Sequence, residues 1–334
     1  MTFQGIGDLA VSFQVRRDNA RLQDTFRRLS NELSSGTRAD LGRAVSGDFG
    51  ALSGIERSIR AIDAYRISAS ETGLMVDAAQ ITLELVRGKA NDVAPALLLS
   101  NEDFDPGFVN AGAAAAARAF EDTVSALNAR IGDRSVFAGI DTDNPALAGP
   151  ETMLTELETL IAAETTAAGV ETVVAAWFDI GGGYEAIGYL GNVDLIEDIP
   201  ISEGEKASLG VNALDPGIRE VLTGLALGAL LDRGALTGNN EERAILANSG
   251  GDRLVRSEYT LTQTQTTIGI TQERIDSAKT RNETESQALQ VARAAIIEVD
   301  PFETAAQLQA VEVQLETLYA ITARLNRLNL ADYL

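Results

Sequence analysis

The chain has 334 residues, 45% of them hydrophobic, which is enough for a sizeable core and argues against wholesale disorder. Acidic residues outnumber basic ones 49 to 27, a formal net charge of −22 that repels phosphate backbones and anionic lipid, so neither nucleic acid nor a membrane surface is an expected partner. Cysteine and histidine are both absent, which excludes disulfides, zinc–thiolate sites, imidazole bases and histidine–metal ligation; no cofactor, metal or catalytic residue is expected, and the chain is read as a non-enzyme.

The N-terminal Met1-Thr2-Phe3-Gln4-Gly5-Ile6-Gly7-Asp8 has no basic start followed by an apolar block. No cleaved signal peptide is therefore expected, and no window is apolar enough for a transmembrane helix. The first helical pattern runs from Leu9 to Leu33, with Val11, Val15, Leu22, Phe26, Leu29 and Leu33 at spacings of four, seven, four, three and four. Ser34-Ser35-Gly36 ends it, glycine being suited to the left-handed residue that closes many helices. Asp40–Gly54, with four glycines, reads as an irregular connector. A long helix from Ile55 to Ala94 follows, carrying Ile67, Leu74 and Ile81 at heptad spacing, and Pro95 is expected to break or bend it. A third helix is expected from Phe108 to Ile131, rich in alanine at Ala113–Ala117 and stopped by Gly132.

Residues 141–238 differ in character, holding Pro145, Pro150, Pro200 and Pro216, the triple glycine Gly181-Gly182-Gly183 and the sole tryptophan, Trp177. The expected elements are a helix at Glu151–Glu164, strands at Glu185–Leu190, Leu195–Ser202 and Lys206–Asn212, and a helix at Pro216–Leu231 capped by Asp215. From Asn239 to Val299 no proline interrupts the helical pattern, about 60 residues or some 90 Å if continuous. Leu254, Leu261, Ile268, Ile275, Leu289 and Ile296 recur every seven residues there, with Asn282 the exception. Asp300-Pro301-Phe302-Glu303 then opens a last helix. Its seam is Leu308, Val311, Leu315, Leu318, Leu325 and Leu328, a stripe that only another helix can bury.

The expected fold is mainly α: a long antiparallel coiled-coil rod made by both termini, with a small α+β domain inserted. Residues 1–140 and 239–334 would be its two helical halves and 141–238 the insert. The two stripes, Val11 to Leu29 and Leu308 to Leu328, would pack together and form the assembly seam.

Leu29-Ser30-Asn31-Glu32-Leu33-Ser34-Ser35-Gly36-Thr37-Arg38 is similar to the signature closing the first helix of the bacterial flagellins and of the hook–filament junction family (hook-associated protein 3). Arg134-Ser135-Val136-Phe137-Ala138-Gly139-Ile140-Asp141-Thr142-Asp143-Asn144-Pro145 resembles the entry to its middle domain. Asp300-Pro301-Phe302-Glu303 and the terminal Leu328–Leu334 match the junction-protein ending better than the flagellin one. The acidic element usual after the first glycine is replaced by Asp40-Leu41-Gly42-Arg43.

The resemblance implies an extracellular axial component of the flagellum, exported without signal cleavage, whose terminal helices order on assembly. It implies a helical tube of identical subunits, with flagellin, the adjacent hook-associated protein and an export chaperone as partners. Flagellin itself is the alternative reading; a secreted coiled-coil adhesin would fit the rod but not helical polymerisation. Two motifs invite other chemistry. Gly181-Gly182-Gly183 imitates a dinucleotide-binding loop but lacks the βαβ context. Asp141-Thr142-Asp143-Asn144 starts like a calcium loop, but the required glycine and glutamate are Ala146 and Thr152.

Overall fold

The structure is a computed structural model and describes residues 5–99 and 106–331, with side chains described for 10–99 and 106–324. The chain is mainly α-helical and forms two compact units, residues 1–61 with 285–334, and residues 62–284. In order, the helices are α1 (Gly5–Ser35), α2 (Leu41–Ala44), α3 (Gly50–Leu98), α4 (Pro106–Leu127), α5 (Pro150–Ile161), α6 (Ala167–Phe178), α7 (Pro216–Asp232), α8 (Asn240–Ile297) and α9 (Pro301–Ala331). Two antiparallel hairpins complete the described elements: β1 (Arg130–Ile131) with β2 (Arg134–Ser135), and β3 (Ile196–Ser202) with β4 (Glu205–Leu209).

Residues 62–284 share one hydrophobic core running from Ala69 to Ala278. The helix α7 is its centre, buried from Val221 to Leu231 on every side. Small residues let its neighbours approach. A Cβ added at Gly228 would lie 2.3 Å from Ala116 Cβ of α4, and one at Gly224 would lie 2.9 Å from the Gly250 carbonyl of α8. Gly112 of α4 meets the Ala96 carbonyl of α3 in the same way, at 2.8 Å. Because α7 is apolar all round, it must be enclosed by other helices. Residues 141–238 accordingly share their core with α3, α4 and α8.

Several expected elements are corrected. Glu185–Leu190 is not a strand: Tyr184–Gly188 is a π-helical turn closed by Tyr189 N–H donating to the Tyr184 carbonyl at 2.6 Å. Burial of the Tyr184 ring, whose hydroxyl donates to the Ala213 carbonyl at 2.7 Å, outweighs the extended propensity of the segment. The helix α6 was not expected from sequence; Thr166 caps it through Gly169 N–H. Pro95 does not end α3, which continues to Leu98; it lies close enough to the C-terminus for the helix to absorb it. Ile131 leaves α4 and joins the β1–β2 hairpin around Gly132, whose φ of +58° favours glycine. Within the supposed connector, Asp40 caps the short α2, and Asp48 Oδ1 accepts from Gly50 N–H where α3 begins.

Asn282, the polar exception in the α8 heptads, is 1% exposed. Its Nδ2 donates to the Ile201 carbonyl at 2.7 Å, and its Oδ1 accepts from Ser202 Oγ at 2.9 Å, so it docks β3 on α8. Asn282→Ala leaves that buried carbonyl unpaired and is expected to destabilise residues 62–284 by about 1–3 kcal/mol in chemical denaturation.

Asp215 caps α7, accepting from Gly217 N–H at 2.8 Å and Thr264 Oγ1 at 2.9 Å. Burial pushes its carboxyl above the ordinary carboxylate range, against the opposing hydrogen bonds from Thr264, Gly217 and Ile218. With the folded value raised, the folded state prefers the protonated form. Its contribution to stability is then greatest below the unfolded value and declines as pH rises through the folded one. Asp215→Asn keeps the cap acceptor without the buried charge and is expected to remove that decline. Asp215→Ala loses the cap, about 1 kcal/mol, at every pH in thermal melts.

Candidate assembly interface

The closing signature of α1 has a structural role that its residues explain. Gly36 takes φ +71°, reversing the chain after α1. Ser35 Oγ accepts from Thr37 N–H at 3.3 Å, tightening the turn. Thr37 then pairs antiparallel with Glu298: Arg38 N–H donates to the Ile297 carbonyl at 2.8 Å, and Val299 N–H donates to the Gly36 carbonyl at 3.1 Å. The Arg38 guanidinium adds a bond to the Glu298 carbonyl at 3.1 Å. This clasp fixes the link after α1 beside the link before α9. Glu32, 6% exposed, braces it from α1: Oε1 accepts from Ala39 N–H at 3.0 Å, and Oε2 pairs with Arg28 at 3.0 Å.

From the clasp, α1 and α9 pack against each other as antiparallel helices, each of 31 residues or about 46 Å. Farther along the pair, Gln23 Nε2 donates to Tyr319 Oη at 3.1 Å. On α1, Leu29 is 2% exposed, Val15, Leu22 and Phe26 are half-buried, and Val11 is exposed. On α9, Val311 is 9% exposed, while Leu308, Leu315 and Leu318 are half-buried. The side chains of Leu325 and Leu328 lie outside the described residues.

The burial pattern extends the stripes beyond the residues picked from sequence. Glu32 continues the α1 stripe three residues past Leu29, and buried Thr304 continues the α9 stripe one turn before Leu308. Thr304 keeps the four-residue step before Leu308, its polarity masking it, whereas Glu32 takes the place expected of Leu33, which is exposed. The same unit holds the start of α3 and the end of α8, with Arg293 Nε 3.8 Å from Glu56 Oε1. A cavity of about 360 Å³ beneath the clasp is lined by Arg28, Arg38 and Arg43 and by Glu32, Asp300 and Glu303, so its charges are mixed.

The two decoy motifs have structural duties. A Cβ at Gly183 would lie 2.0 Å from Trp177 Nε1, so this glycine makes room for the indole. Asn144 Nδ2 donates to both Asp141 carboxylate oxygens at 3.0 Å, closing a turn on the acid itself. Among the described residues, no group of three or more acidic, histidine or cysteine side chains is gathered for a metal, and no helix is long and apolar enough to cross a membrane.

Residues 257–334, covering most of α8 and all of α9, match the family model of the bacterial flagellin C-terminal helical region. The fold is similar to that of a putative flagellar hook-associated protein from Vibrio parahaemolyticus. The two are 15% identical with a TM-score of 0.52, over 75% of this chain and 99% of that one. FlgL from Bacillus cereus aligns at 12% identity with a TM-score of 0.49, over 71% of this chain and 96% of the other. Comparison with the curated proteins finds no match.

Leu29 is the best-buried member of the stripe. Leu29→Ala is expected to weaken the α1–α9 pairing by about 2–5 kcal/mol. Hydrogen exchange checks it: amides across 21–32 should exchange faster while those of 62–284 are unchanged.

Proposed function

We propose that this chain is a structural, non-enzymatic component of the bacterial flagellum that joins hook to filament, assembling through its terminal helices. The observation that carries the reading is the antiparallel α1–α9 pair, whose apolar stripe stays half-open along Val15, Leu22, Phe26, Leu308, Leu315 and Leu318. Here the two helices leave these stripes half-open, and further copies in a helical tube would complete the burial. The match of residues 257–334 to the flagellin C-terminal helical region supports the same site of assembly.

On this reading Val11, Val15, Leu22, Phe26 and Leu29 with Leu308, Val311, Leu315, Leu318, Leu325 and Leu328 form the assembly seam. The partners are identical subunits, flagellin, the adjacent hook-associated protein and an export chaperone. The working location is extracellular, and the absence of cysteine suits a chain that must travel unfolded. Residues 141–238, expected as a separate insert, would work as part of the unit of residues 62–284.

Flagellin is the second reading, favoured by the identity of the matched C-terminal family. Copy number separates the two. Immunogold labelling of isolated hook–filament complexes should mark one thin band at the junction; label along the whole filament would assign the chain as flagellin.

Replacing Leu315 and Leu318 together with Asp places two charges in the half-buried stripe. Residues 62–284 should keep their fold and melting behaviour while cells lose attached filaments. Normal filaments in that variant would rule out the seam.

A further inference from the structure

The stripes of α1 and α9 repeat along their own length. Val15, Leu22 and Leu29 stand seven residues apart on α1, as do Leu308 and Leu315, and Val311 and Leu318, on α9. Sliding one helix by seven residues, about 10 Å, therefore lays apolar side chains on apolar side chains again. The α9 of another copy carries the same stripe. Such side chains give the pairing its strength, but they select neither its register nor the copy that supplies the α9. In coiled coils that choice falls to polar groups that are satisfied in one arrangement only.

The clasp supplies groups of this kind. Three bonds cross it: Arg38 N–H to the Ile297 carbonyl, Val299 N–H to the Gly36 carbonyl, and the Arg38 guanidinium to the Glu298 carbonyl. A slide of seven residues keeps the apolar burial and breaks all three. Glu32 shapes the segment that makes them, since its Oε1 accepts from Ala39 N–H at 3.0 Å just after the turn at Gly36.

The fold also delivers the two sides of the clasp to each other. Arg293 of α8 lies 3.8 Å from Glu56 of α3 in the same unit, and residues 298–300 alone join α8 to α9. The chain's own 297–299 thus meets its own 36–38 at an effective concentration that a separate copy does not reach in dilute solution. In a polymer the α9 helices of neighbouring copies are close as well, and the bonds across the clasp must then decide.

We propose that the clasp determines partner choice in the terminal pair: it commits each α1 to the α9 of its own chain and shuts out the α9 of neighbouring copies. Gly36, Arg38 and Val299 make the choice, and Glu32 is a positioning residue for them. This rests on the assembly reading above and adds to it which copy fills each seam. Without the clasp the stripes still pair, but between copies, as in an exchanged polymer.

The cysteine-free chain allows a direct test with full-length protein. The side chains of Gln23 and Tyr319 meet at their tips, 3.1 Å apart, so cysteines at these positions suit a short bis-maleimide. In polymer of the Gln23→Cys, Tyr319→Cys double variant the cross-link should form within one chain. Polymer mixed from the two single variants should give few heterodimers. Adding Glu32→Ala and Val299→Pro should raise heterodimers from that mixture about tenfold or more, with the melting of residues 62–284 unchanged. Abundant heterodimers with the clasp intact would overturn the proposal, as would within-chain cross-links that persist unchanged once the clasp is broken. If the broken-clasp variant gives neither product, its helices no longer pair, and the milder Arg38→Ala decides. More heterodimers then support the proposal, and an unchanged ratio overturns it. If the intact chain forms no polymer the assembly reading fails, and the same comparison in concentrated unassembled protein still tests the clasp.

Discussion

The interaction on which the terminal unit depends is the antiparallel pairing of α1 with α9, set in register by the clasp at Gly36–Arg38 and Ile297–Val299. Three backbone-directed hydrogen bonds and the Glu32 brace hold one end of the pair. Beyond the clasp, register is carried by the apolar stripes alone. They bury well near the clasp, at Leu29 and Val311, and progressively less toward Val11. A helix pair with that gradient is best ordered where it is clasped, because a narrow seam buries less against the cost of helix ordering as it opens.

Residues 62–284 follow a different rule. Their core is continuous, and α7 sits inside it with glycines wherever another helix comes close. Charged groups near its surface are paired: Arg253 meets Glu171 at 3.0 Å and Glu220 at 3.1 Å, and Lys89 meets Asp122 at 2.6 Å. The polar anchors are specific. Asn282, Asp215 and Tyr184 each tie a loop or hairpin to a helix through a side-chain hydrogen bond. This unit buries its core by itself.

Much of this was legible in the sequence. The terminal helices, the caps at Asp215 and Asp300, the breaks at Gly36 and Gly132 and the heptads of α8 all follow from local spacing and capping chemistry, which act within a few residues. What was not legible depends on distant partners. Tyr184–Gly188 has the composition of a strand, and only burial of Tyr184 against Trp177 and Phe178 turns it into a π-helical turn. Residues 141–238 look separate because of their prolines and glycines, yet α7 within them is apolar on every face and so packs into the flanking helices. In the seam, Thr304 was hidden by being polar, although its spacing continued the pattern, and Glu32 by the apolar Leu33 beside it. Asn282 was visible as an exception, but its meaning required the β3–β4 hairpin that it holds.

The most direct measurement is the distance between spin labels at Gln23→Cys and Tyr319→Cys in polymer diluted with unlabelled subunits. The account predicts a single short, narrow distance, because α1 and α9 of each subunit lie together in that register. A long or broad distribution in assembled material would contradict it.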